Sequence, residues 1–406
     1  MKHIVLVMAL LLPMHILAQD KYVHVYQDAD LSRQTESSKA IQQGIEVAFN
    51  EINNQVDGYS VVFKYLDNRT NVLRSKRNYK TFIDDPQALV IYSGKSSPPL
   101  IKNRKFINEN KALTLVPWAA GGPITRYPAK ENWIFRLSVD DTQAGSVIID
   151  FAMKAKKCKS PNLLLENTPW GESNLRSMSK ALKAYNIDIP DVTRFSWNTK
   201  GRGARALLRK IINDGSDCIV LVANSVEGAV IVEEMIKLPE VKRLPIISHW
   251  GITGGDFHEK ITAQKREKLD LHFIQTCFAF TNPEQTDVSR KVFSQLKKLS
   301  NGAIEQPTDL RSAAGFIHAY DLTKLLIQAI QETGLTGDIV KDRNAIRLAL
   351  ETFKTPVQGL IKTYIKPFSM FDENTNYNAH EALNKENYCM GQYGAKDEIL
   401  ISKVNQ

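Results

Sequence analysis

Short apolar runs alternate with longer segments of helical periodicity along nearly the whole chain. Residues 22–26 read as a strand, and Ile41, Ile45, Ala48 and Ile52 then share one face of a helix. Strands follow at 59–65, 88–93 and 112–116 with helical stretches between them, and 133–137 is a short extended piece. A second, similar alternation then begins, with strands expected at 162–165, 192–197, 218–223 and 244–248. Its helices carry apolar faces such as Leu207, Leu208, Ile211 and Ile212, or Val226, Val230, Ile231 and Met235. Apolar strands spaced by helices belong in parallel sheets covered on both faces. The pattern therefore predicts an α/β protein of two doubly wound, Rossmann-like lobes. After a strand at 271–280 come helices at 288–299, 312–332 and 341–353, an extended segment at 360–366, and a polar tail. No low-complexity linker separates the halves, so the chain is expected to cross between lobes several times, which makes a hinge.

Open α/β sheets bind ligands beyond the carboxyl ends of their strands. In the first half, 88–93 is followed by Gly94, Lys95, Ser96 and Ser97, with Pro98 and Pro99 suited to the first turn of a helix. Strand 112–116 is followed by Pro117, Trp118, Ala119, Ala120, Gly121, Gly122 and Pro123. Small side chains at both ends let a ligand come close to backbone N–H groups, and a helix N-terminus favours an anionic group. In the second half, Glu166, Asn167, Thr168, Pro169, Trp170 and Gly171 follow one strand, Asn224 and Ser225 the next, and His249, Trp250 and Gly251 another. Any one of these is an ordinary strand-to-helix turn or a packing tryptophan. Trp118, Trp170 and Trp250 recurring at strand ends in both halves point instead to a pocket with flat apolar walls.

A length of 406 residues implies about two domains, and 43% hydrophobic with 24% charged residues is ordinary globular material. The formal net charge of +9 is dispersed in small clusters, such as Lys154, Lys156, Lys157 and Lys159, without a basic and aromatic module. Solvated helix faces explain it, and no nucleic-acid partner is expected. Catalytic and cofactor motifs are missing. Gly201-Arg202-Gly203 lacks the third glycine of a dinucleotide fingerprint, and there is no G-x-S-x-G, H-E-x-x-H or P-loop. We therefore expect binding without chemistry, no cofactor and no metal. Cys158, Cys218, Cys277 and Cys389 form no C-x-x-C pair. Cys158 and Cys218 each precede an expected parallel strand, so both fall at one sheet edge and a disulfide between them is expected. Lys2 and His3, the apolar run 4–12 and Ala18 read as a secretory leader over residues 1–18, too short in its uninterrupted run for a membrane span.

At this point the chain resembles the type I periplasmic solute-binding proteins of ABC transporters, specifically the branched-chain amino acid (leucine/isoleucine/valine) binding family. The resemblance runs from the first strand through Ala319-Tyr320-Asp321 to Gly359. Its most specific parts are Gly94 to Ser97 with Pro117 to Thr125, then Phe135-Arg136, and Trp170-Gly171 where the family often has Tyr-Gly. It implies two lobes that close around a small ligand, with crossings near 137–141, 277–281 and 353–358. Lobe one would be 19–137 plus 281–353, lobe two 138–280 plus 354–378, and 379–406 a C-terminal tail. Ser96, with Ser97 beside it, would bind a ligand carboxylate. Ala119, Ala120 and Gly121 would present backbone groups, Trp170 would close from lobe two, and Asn224 and Trp250 would complete the wall. Gly121 lacks the hydroxyl that the family has there, and Trp250 stands where amino acid binders carry an acid for the ligand's ammonium group. Unless Glu166 or Asp256 supplies that acid, a buried ammonium is costly. The expected ligand is therefore a small organic molecule other than a plain aliphatic amino acid: aromatic, carboxylate-bearing, or a cation over tryptophan faces. The resemblance further implies a monomer in the periplasm, partnered by a membrane permease. The alternative is a ligand-sensing subunit for a receptor or sensor kinase.

Overall fold

A computed structural model of the protein describes residues 21–33 and 35–402. The proposed leader, residues 1–18, lies outside the described residues. The first lobe is built on a six-stranded sheet of β1 (Tyr22–Ala29), β2 (Gln55–Val56), β3 (Tyr59–Asp67), β4 (Ala88–Ser93), β5 (Thr114–Val116) and β6 (Ile134–Arg136), in the order 2-3-1-4-5-6. All pairings are parallel except that of the short β2 with β3. Every side chain of β4 is buried, as a central strand covered on both faces requires. Helix Thr35–Asn50 packs on the long helix Ala313–Thr333, and Gly44 makes that close approach possible: a Cβ there would sit 2.4 Å from the Phe316 carbonyl.

The second sheet contains β7 (Pro161–Glu166), β8 (Asp191–Phe195), β9 (Cys218–Val222), β10 (Ile246–Ser248) and β11 (Leu271–Thr276), all parallel. The two-lobed, doubly wound α/β fold expected from the hydrophobic pattern is present. The C-terminal part differs from expectation. Residues 379–402 are no separate tail, because β14 (Tyr388–Tyr393) adds antiparallel to β11, β15 (Ile399–Ser402) adds antiparallel to β14, and the second sheet extends to seven strands. A disulfide between Cys277 and Cys389 fastens β14 beside the end of β11, and a second joins Cys158 to Cys218 at the start of β9.

Residues 354–378 do not join lobe two. The hairpin β12 (Val357–Gln358) and β13 (Thr363–Tyr364) is held by Asp321 of the long helix, which accepts from the Leu360 and Ile361 amides and the Tyr364 hydroxyl. Phe368 packs edge-on against Phe135, with ring centroids 5.1 Å apart. The last return to lobe two thus falls near 381–388, where the Tyr388 hydroxyl accepts from the Asp140 amide at 2.9 Å. At the root of the hinge, Arg136 and Arg126 share the carboxylates of Asp140 and Glu381 in a fully buried cluster. Among the described residues no helix is long and apolar enough to cross a membrane.

Candidate ligand-binding cleft

The carboxyl ends of the two sheets face each other across a narrow cleft. Six of the eight residues singled out in the sequence meet there: Ser96, Ser97 and Ala120 from lobe one, and Trp170, Asn224 and Trp250 from lobe two. These walls lie close together and leave little free space between them. The lobes are drawn together over it. Trp118 of lobe one lies 5.2 Å from Trp250 of lobe two between ring centroids, and Gly122 N–H donates to the Ser173 hydroxyl across the gap.

Ala119 and Gly121 are not on the cleft. Beyond β5 the strand ends and the chain bends at Pro117 and Trp118, so which residues face the cleft is set by the loop. Trp118 and Ala120 point to the cleft, whereas Ala119 is in the lobe-one core. The carbonyls of Ala119 and Gly121 accept from the Arg136 guanidinium, and Gly121 N–H donates to Ser97 Oγ at 3.0 Å. The missing hydroxyl at 121 has a packing reason: a Cβ there would lie 2.8 Å from Ile101 Cδ1 and 3.0 Å from Ser97 Cβ.

The sequence reading passed over a charged group. Lys95, at the turn after β4, is 9% exposed and lines the cleft. Its ammonium donates to the Gly254 carbonyl of lobe two at 3.0 Å, its one acceptor among the described residues. Burial pulls its pKa down to about 8, against the opposing pull of Asp30, Glu166, Glu227 and Asp256. The signal was a lysine two residues beyond the end of a fully buried strand. Beside it Ser96 opens helix Ser97–Glu109 without a side-chain cap, with Pro98 and Pro99 in the first turn.

Glu166, 1% exposed at the end of β7, also lines the cleft, and Asp256 does not: it pairs with Lys260 at 3.0 Å. Burial raises the Glu166 pKa even though Trp197, Thr168 and Asn224 donate hydrogen bonds to the carboxylate. Trp170 stands in the first turn of helix Pro169–Leu182, which Thr168 caps. Its Nε1 lies 3.4 Å from Asp141 Oδ1, which His249 Nε2 approaches to 2.9 Å. His249 is thus a buried support beneath the wall. His318 plays the same part below Trp250, 5.0 Å away between rings, with Nδ1 3.1 Å from the Pro117 carbonyl and Nε2 3.1 Å from Thr276 Oγ1. Ser96, Asn224 and Trp197 also border a wider outer chamber of about 750 Å³ that Asp30, Arg33, Thr70 and Glu227 line.

A family model described as periplasmic binding protein matches residues 30–379. No curated protein matches the sequence significantly. Among solved structures, a type 1 periplasmic binding protein from Bordetella pertussis Tohama I superposes with a TM-score of 0.76 at 16% identity, covering 95% of this chain and 100% of that one. An ABC-transporter solute-binding protein from Rhodopseudomonas palustris HaA2, in complex with p-hydroxybenzoic acid, gives 0.75 at 17% identity, covering 94% and 96%. A leucine-binding protein from Thermotoga maritima gives 0.71 at 18%, covering 94% and 97%. At such identities these likenesses establish the fold.

Proposed function

The chain belongs to the periplasmic binding protein family, and from that premise we propose that it is an extracytoplasmic solute-binding protein that captures one small organic ligand between its lobes. Hinge closure would present the loaded form to an ABC-transporter permease. The observation that carries this reading is the convergence of six strand-end residues from both lobes on one cleft, spanned by the Trp118–Trp250 contact. The proposed mechanism follows the chemistry of those walls. The Lys95 ammonium has two donors beyond the one given to Gly254, and with Ser96 and the start of helix Ser97–Glu109 it suits a carboxylate or similar anionic head. Trp118, Trp170 and Trp250 suit a flat body, and the p-hydroxybenzoic acid bound by the Rhodopseudomonas neighbour has both features. Glu166 supplies an inward acid, so a ligand with an additional ammonium group also has a partner.

The test is a thermal-shift screen of ligand-stripped protein against aromatic acids, their amides, amino acids and quaternary amines at about 1 mM. A ligand with a Kd near 1 μM adds roughly 4 kcal/mol of stability. Aromatic carboxylates are expected to raise the melting temperature and their amides are not. A response confined to plain aliphatic amino acids would overturn the assignment of the tryptophan walls.

A further inference from the structure

Behind the Trp118–Trp250 pair lies a second, small interlobe chamber, which shares no lining residue with the tryptophan cleft. One side of it is the start of the long helix Ala313–Thr333, whose Gly315 packs under Trp118. The opposite side comes from lobe two, through Thr253, His258 and Tyr393. This helix of 21 residues begins without a side-chain cap; Gly315 N–H donates to the Ser312 carbonyl at 2.8 Å, which leaves the Ala313 and Ala314 amides and the positive end of the helix dipole at its start. Ser312, at its start, is 7% exposed and lines the chamber, yet its hydroxyl has no hydrogen-bond partner. A buried hydroxyl left unpaired carries a free-energy cost that an occupant would remove.

The surrounding charges leave room for an anion. Arg311 lines the chamber with its guanidinium 2.5 Å from the Glu259 carboxylate, a half-exposed pair that joins the lobes. Asp397, the acid on the wall, is held by Arg266 at 2.5 Å. We propose that this chamber is a second binding site, for a small oxyanion held by the Ala313 and Ala314 amides, the Ser312 hydroxyl and the Arg311 guanidinium. Both lobes contribute walls, so an occupant favours the drawn-together form and is coupled to whatever binds in the cleft.

The test is isothermal titration of the full protein with sodium phosphate, sodium sulfate and sodium acetate, against sodium chloride at equal ionic strength. Phosphate or sulfate is expected to saturate one site per chain where chloride does not, and the acetate arm tells whether a carboxylate serves as well. Ser312 has a φ of 57°, so Ser312→Gly deletes the hydroxyl while suiting the left-handed backbone. It is expected to weaken phosphate binding about tenfold, with the melting temperature in chloride unchanged or higher, an outcome that a merely structural serine would not give. Glu259→Gln releases Arg311 and is expected to tighten binding about threefold. Absence of saturable binding, or wild-type phosphate affinity in both Ser312→Gly and Arg311→Gln, overturns the proposal. The Ser312→Gly and Arg311→Gln variants leave the cleft residues untouched, so loss of binding in them separates this site from an anion held in the cleft.

Discussion

Two buried charge clusters lie within one interlobe region and are built on opposite principles. At the hinge root, all five donors of Arg136 have acceptors: both oxygens of Glu381, one of Asp140, and the carbonyls of Ala119 and Gly121. Arg136 and Arg126 outweigh the burial penalty on Asp140 and hold its pKa below the usual carboxylate range. In the cleft, Lys95 meets a single carbonyl, and burial pushes its pKa down and that of Glu166 up. Charges so paired, with only the Arg126 Nε left without a partner, specify where three stretches of chain meet. Unsaturated ones keep donors and acceptors in reserve, which a protein tolerates where something else is to bind.

The largest expected effect is at the saturated cluster. Arg136→Met leaves Asp140 and Glu381 short of a partner in the interior and should cost about 3–5 kcal/mol in urea denaturation. A loss under about 1 kcal/mol would mean that the two clusters do not differ in kind. Trp170→Ala, on the cleft side, should leave the fold intact and weaken the best ligand of the thermal-shift screen by about 30-fold or more, measured by titration calorimetry. Unchanged affinity would remove Trp170 from the site.

Acid should act through His318. Burial lowers its pKa from 6.5 to about 3, so the unfolded chain takes up protons between those values and the folded one does not. Stability is complete above pH 6.5 and declines as pH falls through that window, by about 2 kcal/mol at pH 5. Denaturation curves for the protein and for His318→Gln should separate at pH 7 and converge towards pH 5.

The smallest effect on stability belongs to Lys95→Met. Removing a buried, poorly paired ammonium should change the unfolding free energy by less than about 1 kcal/mol or increase it, while carboxylate affinity falls about tenfold. In the unaltered protein the cost of burying that charge is complete below pH 8. It is relieved as pH rises from 8 towards 10.5, over which range carboxylate binding should fade. Titrating one aromatic carboxylate at pH 7 and pH 9, with and without Lys95, measures both. Equal affinity in the lysine and methionine forms at pH 7 would assign the anionic head elsewhere.

The sheets were legible because their central strands, such as β4 and β9, are largely apolar and separated by helices of matching period. The cleft was legible as far as strand ends indicate it, which placed Ser96, Trp170, Asn224 and Trp250. It went wrong after β5, where the chain bends and the loop's own course decides that Trp118 and Ala120 line the cleft while Ala119 lies in the core. Lys95 escaped because its composition and position equally fit a solvated turn. Its burial depends on Gly254, a residue 159 positions away. The hinge cluster was unreadable for the same reason, since Arg136 and Glu381 are 245 residues apart and each looks like a surface charge in its local sequence. β14 and β15 were hidden in a stretch rich in Asn, Glu and Gly, where polar residues flank a buried Tyr-Cys-Met core.

The placement of those last strands also sets an order of events. Lobe one's sheet is finished by Arg136, early in the chain, but lobe two's sheet gains its final strand only at Ser402. A ribosome working from the amino end therefore releases the parallel strands of both lobes before β14 and β15 can cover the flank of β11 and Cys389 can meet Cys277. Until then one half is complete and the other carries an open edge, the state most exposed to mispairing with a second chain.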